Sequence, residues 1–152
     1  MKKSTIPLLT ALLLTVFAVH AAEPTLRVAA DSAFHDALGE IAPLFTDTTG
    51  FAVSPQYGDS ASLADSLLAD DAADVCLPAD AATIDRLREK GVVDVALSRN
   101  IVVLDRPGED PVYIRAVVLT TSPHRIQALA FLDFLVSERA RGIFAAHGFA
   151  LP

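Results

Sequence analysis

Ile101-Val102-Val103-Leu104, then Asp105-Arg106-Pro107-Gly108-Glu109-Asp110-Pro111, then Val112-Tyr113-Ile114 decide how this chain is put together. The outer runs are rich in β-branched residues, which favour strands. Between them Pro107-Gly108 is turn chemistry: proline fixes its own φ, and glycine accepts a positive one. A strand Ile101–Leu104 and a strand Val112–Leu119 are therefore expected to pair as an antiparallel hairpin across the turn 105–111. Toward the N-terminus, apolar runs alternate with amphipathic stretches. Leu26–Ala30 reads as a buried strand, and Ser32 to about Asp47 as a helix burying Phe34, Leu38, Ile41 and Phe45. Phe51–Tyr57 and Asp74–Leu77 read as further strands. The helices after them run from Ser60 to about Ala69, with Leu63 and Leu67 inward, and from Asp80 to Lys90, where Gly91 stops it. Such alternation implies a parallel sheet with right-handed crossovers. Toward the C-terminus, a helix after Ser122-Pro123 carries apolar Ile126, Leu129, Phe131 and Phe134. Ser137 caps a last helix that ends near His147-Gly148. The expected fold is one α/β domain over 22–152: a mostly parallel sheet, an antiparallel hairpin strand and flanking helices.

The first residues have the pattern of an export signal. Lys2 and Lys3 precede an apolar run from Ile6 to Val19, and Val19-His20-Ala21-Ala22 offers small residues for cleavage. The run is short for a membrane span of ~20 residues. Residues 1–21 are thus expected to be a signal peptide cleaved near Ala21, which implies a periplasmic protein. The 152-residue chain has 12 basic and 19 acidic residues. Without Lys2 and Lys3 the balance is 10 against 19, a net charge of −9. That surface argues against nucleic acid or an anionic membrane as partner. Cys76 is the only cysteine, so no intramolecular disulfide can form. Its setting, Asp-Val-Cys-Leu-Pro, reads as a core strand with an inert thiol.

Four stretches, in order, carry a likeness to a known family. They are Val28-Ala29-Ala30-Asp31-Ser32 with Asp36-Ala37-Leu38 and Ile41; Tyr57-Gly58-Asp59-Ser60 with Leu63-Ala64; Ala73-Asp74-Val75 with Ala79-Asp80, Leu87, Lys90-Gly91-Val92 and Asp94; and Ala130–Leu135 with Ser137, Ala140, Ile143-Phe144 and Gly148-Phe149. Together they resemble the periplasmic molybdate-binding proteins, the substrate-binding receptors of ABC importers. The resemblance implies a single lobe of the type II periplasmic-binding-protein fold. In the family the strand matching Leu104 leads into a second lobe and the strand matching Val112 returns from it, so the turn 105–111 stands in place of that lobe. It also implies a non-enzymatic protein without a cofactor. Its partners would be molybdate, tungstate or a similar oxyanion, and the membrane components of an importer.

Family serines that hold the oxyanion match Ser32 and Ser60. Each follows a strand's carboxyl end and opens a helix, where hydroxyl, free N–H groups and helix dipole converge. Ligands of open α/β sheets bind at such strand ends. The plainer alternative is that both serines are N-caps, worth ~1 kcal/mol each without a ligand. Asp31 and Asp59 depart from the family, which carries small neutral residues before its serines. With Asp80 they could cluster at one sheet edge, repelling an anion and suiting a cationic group, or they could face solvent at helix N-termini.

A magnitude frames the missing lobe. Hydrogen bonds to a charged group contribute ~1.5–3 kcal/mol, so losing about three removes roughly 5–9 kcal/mol. A nanomolar site has about −12 kcal/mol, so a half-site falls to tens of micromolar or beyond millimolar. Two facing copies, a homodimer, would restore a second wall. The alternative function is a single-lobe interaction module without tight ligand capture. A lesser alternative is a serine esterase, since Gly58-Asp59-Ser60 matches a nucleophile block. That family's Asp-x-x-His motif is absent here. No paired-ligand spacing among His35, His124 and His147 suggests a metal.

Overall fold

Among the described residues four of five strands point the same way, and the exception closes the hairpin. The computed structural model describes residues 24–69 and 72–152; the export-signal segment 1–21 lies outside them. The elements are β1 (Thr25–Asp31), a 3-10 turn (Ser32–Phe34), α1 (His35–Thr49), β2 (Ala52–Gly58), α2 (Ser60–Leu68), β3 (Val75–Leu77), α3 (Ala81–Glu89), β4 (Val93–Leu104), β5 (Val112–Leu119), α4 (Arg125–Leu135) and α5 (Glu138–Ala146). The sheet order is β2-β1-β3-β5-β4. β1 pairs parallel with β2 and β3, while β5 runs antiparallel to both β3 and β4. This is the expected mostly parallel sheet with one antiparallel hairpin strand.

Alternation along each strand sends residues to two faces. Leu26, Val28 and Ala30 of β1, Val75 and Leu77 of β3, and Ile114, Ala116 and Val118 of β5 face one core. There they meet Phe34, Leu38, Ile41 and Phe45 of the first helical stretch, Phe131 and Leu132 of α4, and Phe144 of α5. Ala29, Cys76, Val117 and Leu119 face a smaller core with Leu63 and Leu67 of α2 and Ile84 and Leu87 of α3. The result is helix, sheet and helix in three layers. Cys76 is fully buried as expected, and desolvation, then the charge of Asp80, push its thiol up to about 12.

The turn forms as read. Glu109 N–H donates to Arg106 C=O at 3.1 Å, with Gly108 at φ 84. That is a type II turn with proline and glycine at its two central positions. Leu104 pairs with Val112.

Three expectations need correction. β4 begins at Val93 rather than Ile101, because two bulges, at Asp94/Ser98 and Asn100/Val102, let a polar stretch stay in the ladder. The helix expected from Ser32 starts as a 3-10 turn and becomes α-helical at His35. Ile126, read among the apolar residues of its helix, is 80% exposed, since the buried stripe of α4 is Ala128, Phe131, Leu132 and Leu135 and Ile126 falls on the other side of it.

Candidate functional site

Parallel pairing brings the carboxyl ends of β2, β1 and β3 to one edge. Asp31 ends β1 in the middle, Asp59 follows β2 on one side, and Asp80 follows β3 on the other. Each of these three aspartates, not a serine, is the N-cap of the helical segment that follows. Asp31 accepts the Ala33 N–H at 2.9 Å, Asp59 the Ser62 N–H at 3.0 Å, and Asp80 the Thr83 N–H at 2.7 Å. This corrects the plainer reading of Ser32 and Ser60 as caps. An ionised carboxylate accepts more strongly than a hydroxyl and also complements the helix dipole, so the aspartate one residue earlier takes the position.

Ser32 and Ser60 therefore sit at the first helical position, and their fates differ. Ser32 is exposed, and its hydroxyl has no partner among the described residues. Ser60 is 5% exposed and committed on both sides. Its hydroxyl donates to Asp31 Oδ2 at 2.7 Å and accepts the Ala79 N–H at 2.9 Å. Asp31 thus takes one backbone N–H from a helix start and one serine hydroxyl, the kinds of donor that would hold a bound anion. A carboxylate of the chain occupies the middle of the edge.

Asp59 is outside this cluster. It is solvent-exposed, and the Ser62 hydroxyl at 2.6 Å, helped by the Ser62 N–H, holds its carboxyl below the usual range. Flanking the edge, the Asp36 carboxyl is lowered by its hydrogen bond to His35. The phenol of Tyr57, whose ring packs 4.7 Å from that of His35, is raised by burial and then by the charge of Asp36. No group of three or more metal-ligating side chains with metal-holding geometry occurs among the described residues.

The opposite edge of the sheet holds a second aspartate–serine pair that the sequence reading missed. Asp74 is 4% exposed; it accepts the Arg27 N–H at 2.8 Å and the Ser122 hydroxyl at 2.6 Å. His124 Nδ1 lies 3.4 Å from the same carboxylate, but it is misaligned and makes no hydrogen bond. The histidines read as isolated are thus not all so: His124 sits at this carboxylate, and His147 Nε2 is 2.7 Å from Glu40. The weak available signal was the Ser122-Pro123-His124 start of α4, which carries no spacing rule back to Asp74. Neither serine has the partner an esterase needs. Ser60 and Ser122 both donate to carboxylates rather than to an imidazole.

The model of the bacterial extracellular solute-binding proteins matches residues 26–108 and 100–150, two segments that overlap at the hairpin turn. This chain belongs to that family. A comparison with curated proteins returns no match. Among solved structures, the solute-binding protein resembles one described as the substrate binding domain of a molybdenum ABC transporter from Clostridium difficile. The TM-score is 0.78 at 12% identity, covering 84% of this chain and 99% of that one. It also resembles the periplasmic molybdate-binding protein of Azotobacter vinelandii, with TM-score 0.75, 13% identity, and 84% and 99% coverage. Iron-bound HitA from Pseudomonas aeruginosa matches with TM-score 0.68, 13% identity, and 84% and 85% coverage. At such identities the likeness establishes the fold. It carries no ligand with it, since these neighbours differ even in the sign of the solute's charge.

Proposed function

We propose that this solute-binding protein is an exported, non-enzymatic, single-lobe relative of the ABC-importer receptors, with its anion seat filled by its own Asp31. In this reading the turn 105–111 replaces the second lobe, and the protein serves as a binding or interaction module rather than a tight receptor for free oxyanions. One observation carries it: the Ser60 hydroxyl donates to Asp31 at 2.7 Å. A tetrahedral oxyanion arriving there must displace that carboxylate or bind beside it, without a facing wall. Like charges in such a place repel.

A second reading keeps the ancestral role. Ser60 lies buried at the family's position, with the Ala79 N–H on its oxygen, and Ser32 is free to turn inward. Molybdate, tungstate or a similar oxyanion would then bind at Ser32 and Ser60, in a homodimer that supplies the opposing wall, and be delivered to importer membrane components in the periplasm.

A thermal-shift titration with molybdate, tungstate, sulfate and phosphate decides between them. Ligand at about 100 times its Kd stabilises the folded state by about 2.7 kcal/mol, enough to move the melting temperature by several degrees. The wild-type protein is expected to show no shift at micromolar anion, and Asp31→Ala, still without a facing wall, to gain one only between tens of micromolar and millimolar anion. A micromolar shift in the wild type would sink the self-filled seat.

A further inference from the structure

The geometry points to a second binding element on the same edge: a groove between α3 and the start of β5 that takes a small organic anion, a carboxylate or phosphate ester, on Arg88 and Arg115. It rests on the reading above that this edge is the ligand-facing side, and it adds the class of ligand. Because β5 runs against β3, its first residues lie at the edge where α3 begins. The α2–α3 layer packs on Val117 and Leu119 farther along β5 and leaves Tyr113 and Arg115 uncovered, Tyr113 at 45% exposure. Ile84 and Arg88, four apart on one stripe of α3, form the other wall. The groove encloses 450 Å³, within the range of about 300–1,000 Å³ usual for small-molecule sites.

Two arginines against one carboxylate, Asp85, line the groove, so it is less acidic than the rest of the edge. Arg115 donates from Nε to Asn100 Oδ1 at 3.1 Å, which steadies the guanidinium, and its Nη groups have no partner among the described residues. A guanidinium presented that way can grip a carboxylate or phosphate with two parallel hydrogen bonds. Arg88 pairs with Asp85 at 3.1 Å, with both side chains more than half exposed. Such a pair is worth about 0–1 kcal/mol, so a bound anion can compete for Arg88. Tyr113 adds an aromatic face and a hydroxyl donor, and Ile84 an apolar floor. An anionic head on the guanidinium groups, displacing Asp85 from Arg88, and a carbon body against Tyr113 and Ile84 use both the basic and the apolar parts of the lining. A bare tetrahedral oxyanion uses only the two arginines.

Nuclear magnetic resonance titration of the protein at low salt tests this, with citrate and 3-phosphoglycerate as probes and inorganic phosphate and molybdate as controls. Shifts centred on Tyr113, Arg115 and α3 are expected, with a Kd below about 1 mM. Arg115→Gln should weaken binding about tenfold, and Arg115→Lys, which keeps the charge but loses the fork, should fall between. Both variants change an exposed side chain, and melting temperatures without ligand confirm that they fold. No shifts at about 10 mM of either probe would overturn the proposal, as would unchanged affinity in Arg115→Gln or inorganic phosphate binding as well as 3-phosphoglycerate. The two readings fail separately. Molybdate perturbing the Ala33 and Ala79 amides of the wild type would overturn the self-filled seat and leave the groove standing.

Discussion

The sheet carries an aspartate–serine pair at each end, alike in length and opposite in use. At the carboxyl edge Ser60 donates to Asp31 at 2.7 Å; at the other edge Ser122 donates to Asp74 at 2.6 Å. Asp74 is shut in. Its carboxylate holds the Arg27 N–H, its own N–H donates to Arg27 C=O, and its carbonyl receives the Leu119 N–H. That aspartate stitches β1, β3, β5 and the approach to α4, and its burial makes each bond costly to lose. Asp31 is half-buried and stands at a helix start, where the same chemistry can serve an outside anion. Position on the sheet, rather than the pairing itself, separates a clasp from a candidate site.

Mutations at the two pairs should differ accordingly. Asp74→Ala is expected to destabilise most, by about 3 kcal/mol or more in a urea titration, because it orphans the Arg27 amide and the Ser122 hydroxyl inside the protein. Ser122→Ala removes one bond to that carboxylate and should cost about 1.5–3 kcal/mol by the same measurement. Asp31→Ala should cost less, about 1–2 kcal/mol, since a lost cap is partly replaced by water at the edge. A larger loss there than at Asp74 would erase the distinction drawn between the ends.

Smaller effects sharpen it further. The Asp59 pKa is lowered in the folded state by the Ser62 hydroxyl and N–H. Its contribution is therefore present above the unfolded carboxylate value and lost as pH falls through the lower folded value. Asp59→Asn should therefore lower stability somewhat at neutral pH, leave the acid end little changed, and so flatten the acid side of the stability profile. Ile126→Ser should stay within about 0.5 kcal/mol of wild type, because its side chain is solvated. A greater cost would mean that the exposed start of α4 packs in solution.

Much of the architecture was legible because its signals are local. Strand–helix alternation, Phe34, Leu38, Ile41 and Phe45 on one stripe, and Pro107-Gly108 at a turn depend on residues a few positions apart. The start of β4 was hidden because bulges break its alternation. Within the site, the positions of Asp31, Asp59, Asp80, Ser32 and Ser60 at strand ends could be read directly. The hydrogen bond joining Ser60 to Asp31 could not, since it spans 29 residues and depends on β1 and β2 lying side by side.

The sequence by itself determined the order of elements, the hairpin turn and the gathering of acids and serines at strand ends. Periodicity, turn chemistry and helix-start preferences act within one segment at a time. Only the tertiary structure decided that aspartates, not serines, cap the helices, that Ser60 is spent on Asp31, and that Asp74 and Ser122 clasp the other edge. It also set Arg88 opposite Arg115 across a groove. Those outcomes depend on which donor lies nearest each carboxylate, and distance across a sheet is fixed by pairing and register rather than by spacing along the chain.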